Sequence, residues 1–251
     1  MSTYPPQFNQ QTYNYTTQTS MVSRISQIMK RVYVNMTLAL IVTAVISLLC
    51  VGGTTVANGE ISNVSAYMHF YLSNSWFNWV LIIGIFGIAI GVSAGINRLS
   101  TSTASLLFYV YAVLMGLFLA PIFLVYTSTS LVKTFLITAG TFGAMSVYGF
   151  CTNRDLTKIG NILFMALIGL IIASIVNIFA NSTTLGWIIS IFGVLIFVGL
   201  TAWDTQQIKR MAAIAPDDSV GRLAVLGALS LYMDFINLFL FLLRFFGSSR
   251  N

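Results

Sequence analysis

Ala228-Leu229-Ser230-Leu231-Tyr232-Met233-Asp234-Phe235-Ile236-Asn237-Leu238-Phe239-Leu240-Phe241-Leu242-Leu243 is an apolar run that carries one carboxylate. With its flanks it is long enough to cross a bilayer, which takes about 20 predominantly apolar residues. A carboxylate at the centre of such a helix costs roughly 2.5–3.5 kcal/mol on insertion scales. Asp234 therefore marks a use rather than an accident. A second aspartate, Asp204, lies near the end of the preceding apolar run. The chain has only six acidic residues, so two at membrane depth define the functional question.

The rest of the chain fits that reading. It is 57% hydrophobic and 7% charged over 251 residues, against about 25% charged for an ordinary soluble domain. So much apolar surface cannot be hidden in a soluble fold of this size. Barrel strands alternate apolar and polar residues in segments of about ten. Here the apolar runs are continuous and about 20 residues long, so the fold class is an all-α membrane protein. Hydropathy predicts seven transmembrane helices, over 32–51, 76–98, 104–126 with Pro121 inside, 131–150, 159–179, 185–211 and 221–246. Residues 1–21 are uncharged and rich in Gln, Asn, Thr, Tyr and Ser, which predicts a disordered polar tail ahead of a membrane domain over 22–251. Without a basic n-region or an apolar core, the tail does not read as a signal peptide. Cys50 and Cys151 lack metal or redox spacing and read as small core residues.

Charge gives the orientation. Arg24, Lys30 and Arg31 precede the first span and Arg98 ends the second. Arg154 and Lys158 join the fourth to the fifth, and Lys209, Arg210 and Arg222 join the sixth to the seventh. The alternate loops hold little beyond Glu60, His69 and Lys133. The positive-inside rule then puts the N-terminus in the cytoplasm. Seven crossings put the C-terminus outside. Arg244 and Arg250 keep a re-entrant last helix open as the alternative. The net charge of +6 is thereby explained by topology, and no nucleic-acid partner is expected. No internal repeat is evident, which counts against an inverted-repeat transporter.

Helical spacing groups the polar residues. Ser230, Asp234 and Asn237 share one face of the seventh span, and Thr201, Asp204 and Gln207 share one face of the sixth. Two helices joined by a short loop are antiparallel neighbours, so these faces should meet each other or a water-filled cavity. Counted from the cytoplasmic loop, Asp204 lies roughly 10 Å deep and Asp234 roughly 20 Å, at 1.5 Å per residue. Ordinary helix tilt narrows that difference. On the second span, Gly84, Gly87, Gly91 and Gly95 form a stripe that would let another backbone approach. Arg98 continues it. The arginine either turns inward to Asp204 or snorkels to the interface. Two nearby carboxylates in a low dielectric do not both ionise cheaply and titrate as a unit. Such a pair shares a proton or binds a cation, and the competition between the two would make ion passage depend on pH. Two buried, protonated aspartates that merely tie helices together are the structural alternative.

Trp203-Asp204-Thr205-Gln206-Gln207-Ile208-Lys209, the 228–239 segment and Leu242-Leu243-Arg244-Phe245-Phe246-Gly247 resemble the signature of the transmembrane BAX inhibitor motif (Bax inhibitor-1-like) family, with Ala120-Pro121-Ile122 as a further local match. The likeness runs from about Arg24 to Gly247, and the short loops and polar tail resemble a bacterial member. The resemblance implies a seven-transmembrane-helix bundle with the C-terminal helix central. It also implies a pH-sensitive calcium leak channel in which Asp204 and Asp234 form a proton-shared sensor and Arg98 latches to Asp204. It places the chain in a bacterial inner membrane, with no cofactor beyond Ca²⁺ as permeant or bound ion. The loop over 212–222, with Asp217-Asp218, is longer than in a typical short relative. The expected partners are the lipid bilayer, Ca²⁺ and H⁺. Competing readings are a regulator of a membrane protease, with the tail as its handle for a membrane-protein partner, and a proton-coupled transporter. An enzyme is not expected: His69 is the only histidine and lies in a loop far from both aspartates.

Overall fold

The computed structural model describes residues 10–57, 60–96 and 98–250. Its helices are α1 (Gln10–Val51), α2 (Ala66–Ser73), α3 (Ser75–Gly95), α4 (Thr101–Leu119), α5 (Ile122–Val125), α6 (Ser128–Cys151), α7 (Thr157–Ala180), α8 (Thr183–Ile214) and α9 (Val220–Phe246). Seven spans are long and apolar enough to cross a membrane: α1 from Met21, α3, α4 continuing into α5, α6, α7, α8 and α9. They coincide with the seven expected from hydropathy. α1 starts inside the stretch expected to be a tail, and residues 1–9 of that stretch lie outside the described residues.

The helix limits follow from local chemistry. Ser65, Ser100, Thr127 and Ser182 each accept a backbone N–H three residues on, capping α2, α4, α6 and α8. Asn181, at φ 47°, closes α7 in the left-handed region. Pro121 divides α4 from α5 because it cannot donate into the ladder. The first long loop carries structure of its own: β1 (Thr55–Ala57) pairs antiparallel with β2 (Glu60–Ser62), and α2 follows.

α9 is the most buried span and α7 the least. α9 packs against α1, α3, α4, α6 and α8, while α8 lies between α7 on one side and α6 and α9 on the other. Tyr232 of α9 anchors the interior. Its ring meets Phe108 and Tyr111 of α4 edge-on, at 5.8 and 5.6 Å between centroids. Thr43 of α1 donates to the Ala112 carbonyl at 2.9 Å and so accepts from the Tyr232 hydroxyl at 2.6 Å. A buried phenol is thereby satisfied without water.

The 27 residues of α9 span about 40 Å at 1.5 Å per residue. The chain end beyond it meets the α5–α6 turn. Ser249 bridges Tyr126, Thr127 N–H donates to Ser248 O at 3.1 Å, and Arg250 N–H donates to Val125 O at 2.9 Å. α9 therefore runs the full depth of the bundle and does not turn back. Arg250 is accounted for locally, because its guanidinium donates to Phe123 O at 3.2 Å.

Candidate functional site

The site is built where α8 and α9 run antiparallel. Asp234 is buried, at 5% exposure, and Asp204 is partly buried. No amide or hydroxyl donates to the buried Oδ2 of Asp234. The carboxyl of Asp204 faces that of Asp234 within hydrogen-bonding reach. Two carboxyls hydrogen-bond only when one of them carries a proton. The predicted pair therefore lies side by side, within the reach that sharing a proton requires.

The faces that carry the pair continue in both directions. On α8, Phe197, Thr201, Asp204, Gln207 and Met211 follow one another at helical spacing, and on α9, Leu226, Ser230, Asp234, Asn237 and Phe241 do the same. Met211 and Leu226 line a cavity of about 280 Å³ at the basic end, with Ile96, Pro216, Ser219 and Arg222 around it. Gln207 and Ser230 are partly exposed and lie between that cavity and the pair. On the other side, Thr201 and Asn237 bond back to their own helices, to Phe197 O at 2.7 Å and Met233 O at 2.8 Å. One turn further, the rings of Phe197 and Phe241 stack at 5.8 Å. Gly193 gives Phe241 its place, since a Cβ there would overlap the ring. A column of polar side chains thus runs along the two helices from near the basic-end cavity, past the aspartates, to two phenyl rings.

Arg98 is not part of this contact. It follows the end of α3, is exposed, and among the described residues has no ion-pair partner. The glycine stripe explains why. The buried face of α3 is Leu81, Ile85 and Val92, and a Cβ on Gly87 or Gly91 would meet nothing within 4 Å. A Cβ on Gly84 would meet Leu114 of α4 at 3.3 Å, but the middle of the stripe faces outward rather than forming a seam, and Arg98 is exposed like Gly87 and Gly91.

The close seams lie elsewhere, where α6 and α7 each pack on α8. A Cβ on Gly149 would run into the Ala202 carbonyl, and one on Gly160 into the Trp203 indole. Both contacted residues, Ala202 and Trp203, immediately precede Asp204 in sequence. The buried face of α6 presents Ser130, Thr134, Thr138 and Ser146 toward the bundle interior, and Thr205 reaches Ser146 at 3.5 Å. Just beyond the pair, Gln206 holds the α6–α7 loop. It accepts Leu156 N–H at 2.9 Å and donates to Arg154 O at 2.8 Å. Arg210, one turn on, pairs with Asp155 at 2.6 Å and with Thr157 at 2.8 Å. The hydrogen bonds of Thr157 and then Arg210 hold the Asp155 carboxyl well below the usual carboxylate range. Gln206 and the α6 hydroxyls escaped the sequence reading. Gln206 neighbours Gln207, and only the fold shows that the first faces the loop while the second follows the Asp204 face.

Among the described residues no three His, Cys, Asp or Glu side chains come together as a metal cluster. The pair offers its carboxyl oxygens alone, next to the hydroxyl of Ser230 and the amide oxygen of Gln207 on the same faces.

Comparison with known proteins agrees with the signature read in α8 and α9. The family model described as "Inhibitor of apoptosis-promoting Bax1" matches residues 25–251. The inner membrane protein YbhL of Escherichia coli is 44% identical over 225 residues, covering 88% of this chain and 92% of that protein. The protein RP147 of Rickettsia prowazekii is 43% identical, covering 89% of this chain and 90% of its own length. A protein of Borreliella burgdorferi is 51% identical over 181 residues, which is 71% of this chain and 78% of that protein. With a matched segment that includes every span and both aspartates, the chain belongs to the Bax1 inhibitor (BAX inhibitor motif) family.

Proposed function

We propose that the protein is a calcium-permeable leak channel whose conduction is set by the proton shared between Asp204 and Asp234. The observation that carries this reading is the carboxyl–carboxyl contact inside the bundle. While a proton bridges the pair, the interior holds at most one negative charge. Loss of that proton leaves two facing carboxylates that repel in a low dielectric. A divalent cation arriving through the basic-end cavity neutralises both. Proton and cation therefore compete for one site, and cation occupancy rises with pH. Ca²⁺ takes 6–8 oxygens at about 2.3–2.6 Å. Two carboxylates give at most four, and water, Gln207 and Ser230 complete the shell. An incomplete protein shell suits passage, which requires that the ion also leave.

In this reading the stacked Phe197 and Phe241 are the barrier, an apolar constriction of the kind that gates by excluding water. Arg98 acts as a latch in a second state, in which the basic end of α3 tilts toward Asp204. α3 packs chiefly on α4, so such a tilt leaves the α6–α8–α9 core in place. The charge of the loops supports a cytoplasmic N-terminus, and the Escherichia coli relative, an inner membrane protein, supports the bacterial inner membrane as location.

The test is flux. The full chain is reconstituted in liposomes loaded with a calcium dye, and uptake is followed across pH. Asp204→Asn and Asp234→Asn should each abolish the pH dependence of uptake. Unchanged flux with unchanged pH dependence in both variants refutes the reading.

A further inference from the structure

The geometry points to a second site, a lateral cleft between α1 and α6 that binds one acyl chain of an anionic phospholipid. α1 and α6 each pack on α9, yet they form no appreciable contact with one another. The gap between them holds two cavities, of about 370 Å³ and about 620 Å³. They adjoin one another, sharing Leu40, Phe135 and Phe235 as wall residues. Each lies within the roughly 300–1,000 Å³ range of ligand pockets.

The occupant follows from position and charge. Both walls are membrane spans, so the cleft opens onto the bilayer. Hydrocarbon fills such a space, because backbone and side chains there offer water few partners. The α6 wall is cut back by Ala139, Gly143 and Ser146. A Cβ on Gly143 meets nothing within 4 Å, so the recess is open space rather than a tight seam. The mouth at the basic end is formed by Ser26, Phe150 and Cys151. Two cations stand beside it. Lys209 donates to Phe150 O at 2.7 Å and rests 4.9 Å from the centre of its ring, which leaves further ammonium N–H groups free to donate. Lys30 is exposed and one helical turn from Ser26 on the same side of α1. A chain lying on Phe235 with its headgroup between these lysines is a phospholipid carrying a net negative charge.

The measurement is native mass spectrometry of the full chain, equilibrated in detergent with equal phosphatidylglycerol and phosphatidylcholine. One retained phosphatidylglycerol is expected, with Lys30→Gln lowering its preference over phosphatidylcholine by about fivefold. Gly143→Leu projects into the recess, where an added Cβ meets nothing within 4 Å, and should remove most of the retained lipid. Gly169→Leu adds the same bulk on the exposed side of α7, where a Cβ also meets nothing, and should leave retention unchanged. Equal retention in Gly143→Leu and wild type overturns the proposal, as does retention without headgroup preference. A dimer mass that Gly143→Leu abolishes, in place of a lipid adduct, overturns it by assigning the cleft to a second copy of the chain.

Discussion

Asp155 and Phe241 show how single side chains around the pair divide the work. Asp155 is exposed at the basic end and is held ionised by Thr157 and Arg210. Its folded-state affinity for protons is lower than in an unfolded chain, so its contribution is complete above the ordinary aspartate value near 3.9. That contribution is lost as pH falls below it toward the depressed folded value. Limited proteolysis of the α6–α7 loop in detergent should accelerate as pH drops below about 4, and Asp155→Asn should cleave at the fast rate already at neutral pH. Phe241 acts at the other end of the polar column. Phe241→Ala unstacks it from Phe197 and opens space beside Gly193. Calcium uptake into liposomes should rise severalfold while keeping its dependence on pH, because the aspartates are untouched. A Phe241→Ala protein no leakier than wild type would remove the rings from the barrier.

At the scale of the helices, glycine is informative only through what faces it. Gly149 and Gly143 are less than two turns apart on α6. The first touches the Ala202 backbone and the second faces open space. Gly149→Ala should therefore push α8 away at Asp204 and cost about 1–3 kcal/mol, visible as a lower unfolding temperature in detergent. Gly143→Ala should be close to neutral. The same contrast explains where sequence reasoning worked. Continuous apolar runs located every span, because membrane length fixes how many residues each must have. The i, i+3, i+4 spacing of Asp204 and Asp234 put both on facing stripes, and they meet there. The Gly84–Gly95 spacing looked just as regular and meant the opposite, since a stripe says which residues share a face and not what that face touches. Arg98 inherited that ambiguity. The α6 hydroxyls were hidden for a similar reason: Thr134 and Thr138 are common residues in apolar helices, and only the packing of α6 against α8 and α9 buries them.

For the molecule as a whole, orientation is an expectation from loop charge alone. Cys151, expected from sequence to be a core residue, is instead exposed at the basic end of α6, the end that the loop charges would place in the cytoplasm. In intact cells of a Cys50→Ser variant, a membrane-impermeant maleimide should label Cys151 only after permeabilisation. Labelling of intact cells would invert the topology, and with it the side from which cations reach the Asp204–Asp234 column.

The most buried span is made after the six that surround it. Six helices reach the membrane before α9 exists, and until then the faces of α1, α4, α6 and α8 that will receive it have only lipid to cover them. The helix that carries Asp234 thus enters an assembly already waiting around an open slot, and residues 248–250 close that slot by tying down the α5–α6 turn. Chains truncated before Val220 should accordingly insert, fail to compact and be cleared by the membrane quality-control proteases.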